Sequence, residues 1–192
     1  MKSSAGCPLV SFASAARWEK WLEKNHARAA GVWLCFQKKG SAKKSPTRAE
    51  ALDAALSYGW IDGQARPRDE QSWLQKFTPR RARSGWSKRN TEHAERLLRE
   101  GRMKPAGLAQ VEAAKSDGRW KAAYDSPRNA SLPADFLKQL RRGKKSWAFF
   151  KSLNKANLYS IAYRLQTAKR PETREKRMKA ILAMLARGEK FH

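Results

Sequence analysis

The chain has 192 residues, with 42 lysines and arginines against 17 aspartates and glutamates, for a formal charge of +25. Eight tryptophans and 41% apolar residues exclude full disorder, and no run nears the roughly 18 apolar residues of a membrane span. The charge exceeds the about 2–8 that a small domain needs for solubility, so it points to a polyanionic partner: nucleic acid first, an anionic membrane surface second. A solvated basic face has the same composition.

The opening stretch, Lys2 followed by Cys7-Pro8-Leu9-Val10-Ser11-Phe12-Ala13-Ser14-Ala15, has the outline of a leader peptide. Ser and Pro interrupt an apolar run that needs about 7–15 continuous residues. Ser4-Ala5-Gly6-Cys7 has the form of a lipid-attachment tail without the apolar stretch before it. The chain therefore reads as unprocessed and cytosolic. Its two cysteines, Cys7 and Cys35, make no C-x-x-C pair and read as small hydrophobes.

Ser14 is the expected N-cap of a helix that carries Trp18, Trp21 and Leu22 on one face and ends at Asn25–His26. The apolar run Gly31–Phe36 predicts a buried strand, and Gly40–Ser45 a basic loop. Pro46 is expected at the first helical position, with Thr47-x-x-Glu50 as a capping box and Gly59 as the stop. Strands follow at Trp60–Arg66 and Ser72–Phe77, with a turn at Asp69–Glu70 between them and Pro79 closing the second. Asn90 or Thr91 is expected to cap a helix running to Gly101, and Pro105 to open another that ends at Asp117-Gly118.

Beyond residue 118 the character changes. A connector through Trp120, Tyr124, Pro127 and Asn129 leads to a helix at Ser131–Leu140, then to an aromatic cluster of Trp147, Phe149, Phe150 and Leu153. Asn154 caps the next helix and Pro171-Glu172 opens the last, which Gly188 stops. The fold class is α+β: an antiparallel sheet of three or four strands with helices over residues 1–118, then a helical region over 119–192.

The strings Gly59-Trp60-Ile61-Asp62-Gly63-Gln64 and Phe77-Thr78-Pro79-Arg80-Arg81, continuing through Ser84, Trp86, Ser87 and Asn90, resemble the signature of the bacterial YdeI/OmpD-associated family. Gly101-Arg102-Met103, Pro105-Ala106-Gly107-Leu108 and Ala168 to Arg174 with Gly188 agree. The resemblance runs from about Phe12 to the end. It implies a YjbR/CyaY-like front half, a helical back half and an association with bacteriocin protection and a porin, with no reaction or cofactor. The iron role of frataxin-like relatives rests on acidic surface, which this basic chain lacks.

Two stretches carry the predicted polyanion contacts. In the first, Lys76, Arg80, Arg81, Arg83, Lys88 and Arg89 interleave with Trp73, Phe77 and Trp86, and Ser84, Ser87 and Asn90 add neutral donors. Guanidinium groups pair with phosphate, aromatic faces stack on bases, and a helix start favours anions. The alternative is a solvated turn with core tryptophans and arginine stems lying over them. A small-anion pocket of Arg80, Arg81, Ser84 and Asn90 is a further reading. In the second, residues 136–171 hold no acid; Arg141, Arg142, Lys144 and Lys145 form a compact loop, and Lys169, Arg170 and Arg174 flank a helix start. Lys38, Lys39, Lys43 and Lys44 form a third cluster.

Enzyme motifs are lacking. His26, His93 and His192 are isolated in sequence, and there is neither a phosphate-binding loop nor a nucleophile elbow. Asp62, Asp69 and Glu70 with Lys76 have the residue types of a metal-dependent nuclease, although Asp62-Gly63 reads more simply as a turn or bulge. The expectation is a non-enzymatic binding protein without metal or cofactor. A protein partner or an anionic membrane surface is the alternative target.

Overall fold

A computed structural model describes residues 7–126 and 129–192. Lys2, Ser4–Gly6 and Pro127 of the sequence reading lie outside them. The described chain forms two compact units. The first takes the chain up to Ser84 and Glu92–Ala113; the second takes Gly85–Thr91 and Ala114–His192.

In the first unit β1 (Leu9–Val10), α1 (Ala15–Asn25), β2 (Val32–Gln37), α2 (Arg48–Ser57), β3 (Trp60–Pro67) and β4 (Ser72–Pro79) follow in order. The four strands form one sheet in the order β1-β2-β4-β3. β4 runs antiparallel to both neighbours, whereas β1 is parallel to β2, so the sheet is mixed. Two residues are too few to show a strand period, which is why β1 escapes a sequence reading.

Val32 lies opposite Phe77 and Phe36 opposite Trp73, so these four share one face of the sheet. Trp18 and Leu22 of α1 and Ala51 and Ala55 of α2 pack against that face to make the core. Two of the largest buried side chains, both in this unit, satisfy their polar atoms. Trp18 Nε1 donates to Ala51 O at 3.1 Å and Trp60 Nε1 to His26 O at 3.1 Å.

Side-chain capping sets several of the helix starts. Ser14 Oγ accepts from Arg17 N. Thr47 and Glu50 form a reciprocal capping box, so Pro46 precedes the cap and is not the first helical residue. α3 (Lys88–Arg99) begins a turn before the expected caps, because Ser87 Oγ accepts from Asn90 N at 3.2 Å. Thr91 donates its hydroxyl to Lys88 O instead. α4 (Pro105–Ser116) starts at the predicted proline.

Gly59 ends α2 with φ +74, and the backbone of Ala106 comes within 2.8 Å of where a Cβ would stand. Gly107 in α4 faces Ser57 O at 2.3 Å and Leu56 O at 2.8 Å by the same measure. Glycine lets these two backbones touch. Gly59 and Gly107, from the Gly59–Gln64 and Pro105–Leu108 strings, thus have a packing role.

The second unit is helical: α5 (Ala134–Leu140), α6 (Lys144–Lys151), α7 (Lys155–Gln166) and α8 (Pro171–Ala186). α5 starts three residues later than predicted, after Pro133 at its N-cap. Trp147, Phe149 and Phe150 of the aromatic cluster fall on α6, with Leu153 just beyond it, and the Gly143 cap makes no side-chain bond and gives no sequence signal. Phe136, Leu140, Phe150, Ile161, Leu165 and Ile181 form its core with Met178 and Leu185. Among the described residues, no helix is long and apolar enough to cross a membrane.

Candidate functional site

The 76–90 segment is shared between the units: Lys76, Arg80, Arg81 and Arg83 belong to the first, Lys88 and Arg89 to the second. Lys76 sits on β4 opposite Trp33. Both point away from the core face, with Cys35 and Leu74 on the same side. Arg66 Cζ lies 4.2 Å from the centroid of the Trp33 ring and Lys76 Nζ lies 5.9 Å from it. Arg68 Nη1 reaches Cys35 Sγ at 3.1 Å. One indole therefore carries two cations. Arg66 and Arg68 were not among the expected contacts. The register of β3 on β4, and of β4 on β2, brings Arg66 over this face.

Arg80 is 6% exposed, and its backbone N–H donates to Gly59 O at 3.0 Å. Arg81 and Arg83 are exposed beyond it. Ser84 Oγ accepts from Arg81 N and so closes its own turn. In the second unit Trp86 is 1% exposed and tilts against Trp120, with centroids 4.8 Å apart. Asn90 is 5% exposed. Arg80, Trp86 and Asn90 are thus built into the interior and are not on an exposed binding surface. A tryptophan gains more from burying its ring than from offering it to solvent. Ser87 is engaged as a helix cap. Lys88 is tied to Asp125 at 2.8 Å, and Arg89 is exposed.

The turn between α5 and α6 is different. Arg141, Arg142, Lys144 and Lys145 are all exposed, around Gly143. Among the described residues, none of them pairs with a carboxylate. The Arg141 guanidinium lies 5.2 Å from the Trp147 ring centroid, which fixes its stem without neutralising its charge. Lys169 by contrast is bound to Asp117 at 3.3 Å, and Arg174 grips Asp135 through two bonds of 2.7 and 2.8 Å. Arg170 is exposed at the N-cap position of α8.

Two of the three acids of the nuclease-like grouping, Asp62 and Asp69, are held by protein partners, and Glu70 is exposed. Asp62 accepts from Arg48 at 2.8 Å beside a register shift between Asp62 and Ala65. Asp69 accepts from Ser72 Oγ and Gln71 N, and the Ser72 bond holds its carboxyl below the usual range. Among the described residues, no three His, Cys, Asp or Glu side chains converge as a metal site.

A charged network that the sequence does not announce ties α2 to α3. Asp53, 7% exposed, accepts from Arg96 Nη2 at 2.6 and 2.7 Å and lies 2.7 Å from His93 Nδ1. Arg96 also reaches Glu100, which Arg102 binds in turn. The i, i+3 spacing of His93 and Arg96 was its only sequence signal.

Residues 10–110 match the model of a domain of unknown function, DUF8412. Residues 129–188 match the family described as Bacteriocin-protection, YdeI or OmpD-Associated. The strings at Gly59–Gln64, Phe77–Asn90 and Pro105–Leu108 therefore fall in the first match, and the YdeI/OmpD likeness is carried by the helical residues alone. No curated protein and no solved structure matches the chain.

Proposed function

We propose that this chain, which belongs to the DUF8412 family over residues 10–110 and carries a YdeI/OmpD-Associated stretch over 129–188, is a non-enzymatic protein that binds nucleic acid through exposed cations. The carrying observation is the α5–α6 turn, where Arg141, Arg142, Lys144 and Lys145 stand exposed and, among the described residues, unmatched by acid. Cations already paired with carboxylates have less to gain from phosphate, so Lys88, Lys169 and Arg174 contribute little. In the first unit, Trp33 with Arg66 and Lys76, together with exposed Arg81 and Arg83, offers stacking and phosphate contacts of its own. Lysines and arginines of this kind read charge and shape, so binding is expected to be largely indifferent to sequence.

The test is fluorescence anisotropy of duplex DNA and single-stranded RNA across a salt series, with co-purified nucleic acid removed. Each phosphate contact adds about −0.9 to the log–log slope on duplex DNA. Replacing all four turn cations by alanine should flatten the slope by about 3 to 4, and raise Kd at about 0.1 M salt by two orders of magnitude or more. An unchanged slope would remove the turn from the interface. Cleavage of either nucleic acid with magnesium, lost in Asp62→Ala, would overturn the non-enzymatic reading.

The family description of the helical residues favours a second reading, a protein acting in bacteriocin protection through a protein partner or an anionic membrane surface. A lone basic patch attaches weakly and salt-sensitively to anionic lipid. Failure to float with anionic vesicles at physiological salt would remove the membrane version. A stoichiometric protein recovered after nuclease treatment would favour a protein partner.

A further inference from the structure

The second unit holds an open pocket of about 350 Å³ between α7, α8 and the Gly188–His192 segment. This is within the range of small-molecule sites. Its floor is apolar: Ala180, Ile181, Met184 and the Phe191 ring. Three guanidinium groups, Arg164, Arg177 and Arg187, stand around that floor with a single carboxylate, Glu189.

The charges do not cancel. Arg187 and Glu189 close on each other through two bonds of 2.9 and 2.8 Å. Arg177 Nη1 donates to Arg164 O at 2.8 Å and to Thr167 Oγ1 at 3.2 Å, neutral acceptors that hold the guanidinium in place without discharging it. Arg164 Cζ lies 4.3 Å from the centroid of the Phe191 ring, a contact that also leaves its charge intact. Among the described residues neither Arg164 nor Arg177 pairs with a carboxylate, so two positive charges face a hydrocarbon floor.

The segment that carries Phe191 is fixed from inside. Asn157, 1% exposed, accepts from Phe191 N at 3.0 Å and His192 N at 3.2 Å through Oδ1, while its Nδ2 donates to Asn154 Oδ1 and His192 O. His192 Nε2 is 2.9 Å from Ser160 Oγ. A buried amide holding this segment sets the Phe191 ring as a pocket wall, so little ordering remains for a ligand to drive.

We propose that this pocket binds a medium-chain carboxylate, with the hydrocarbon on Ile181, Met184 and Phe191 and the carboxylate on Arg164 and Arg177. The fit is chemical: a tail for the apolar floor and one planar anion for guanidinium forks. The site is independent of the nucleic-acid reading and stands or falls separately from it.

The probe is sodium octanoate, with 1-octanol as the uncharged control, titrated into the full chain by calorimetry and by backbone amide NMR. Octanoate should bind with Kd on the order of 100 µM and shift the amides around Ala180, Met184 and Phe191. Octanol should bind about tenfold more weakly or worse. Arg177→Gln should weaken octanoate by about tenfold. Because Arg177 also bonds to the end of α7, a second variant is needed: Ala180→Trp, at an exposed helix position, should fill the pocket and abolish binding while the melting curve stays unchanged. No octanoate binding at roughly millimolar concentration, equal binding of octanol, or unaltered binding by Ala180→Trp would each overturn the proposal.

Discussion

Gly107→Ala sets two effects of opposite sign against each other. Alanine in place of glycine in a helix is worth up to about 1 kcal/mol of stabilisation from propensity alone. At Gly107 the added Cβ would stand 2.3 Å from Ser57 O, 2.8 Å from Leu56 O and 2.8 Å from Met103 Cε. The methionine tip can swing away; the two carbonyls belong to the last turn of α2 and cannot. Ser57 O also accepts from Lys104 N at 3.1 Å, so separating the helices breaks that bond as well. Overpacking of this kind costs about 1–3 kcal/mol, and more where backbone must move. The expected net effect is a loss of about 1–2 kcal/mol, or about 2–8 °C in Tm for a chain of this size. Urea unfolding followed by tryptophan fluorescence and by circular dichroism measures it, the two probes also testing whether the transition is two-state. A Met103→Ala background should restore little, because the carbonyl clashes persist. A stabilised or unchanged Gly107→Ala protein would refute the close-packing argument and return the Pro105–Leu108 string to the search for function.

Asp53→Ala removes the acceptor shared by His93 and Arg96 and should destabilise the chain by about 2–3 kcal/mol in the same urea assay, since Arg96 retains Glu100. Arg96→Ala should cost less than Asp53→Ala, because Asp53 would keep His93. The hydrogen bonds from Arg174 hold the Asp135 carboxyl below the usual aspartate range. A carboxyl depressed on folding adds stability above its unfolded pKa of about 4 and loses it as pH falls through the folded value. Arg174→Ala should therefore lower stability at neutral pH and shallow the loss below about pH 4. An acid limb as steep as in the parent chain would show that this pair is not part of it.

The residues show how far sequence carries. Capping at Ser14, Thr47–Glu50 and Asn154, the helix opened by Pro105 and the stop at Gly59 all lie within a few neighbours of the residues they govern, so they were legible from the chain alone. The same locality explains the small errors. Ser87 competed with Asn90 and Thr91 for one cap, and Gly143 began α6 with no side-chain signal.

The sequence by itself determined the α+β class, the excess of positive charge and the stretches that carry it. Only the tertiary structure decided which of those charges reach solvent and which apolar residues stand beside them. Arg80, Arg81 and Arg83 are equivalent in composition, yet the first is buried while the others are exposed. Arg66 and Lys76 meet over Trp33 through strand register, and Arg164, Arg177 and Arg187 gather around Phe191 through helix packing. Charge is a property of a residue and survives in the sequence, whereas exposure and convergence belong to surfaces that exist only once distant segments pack.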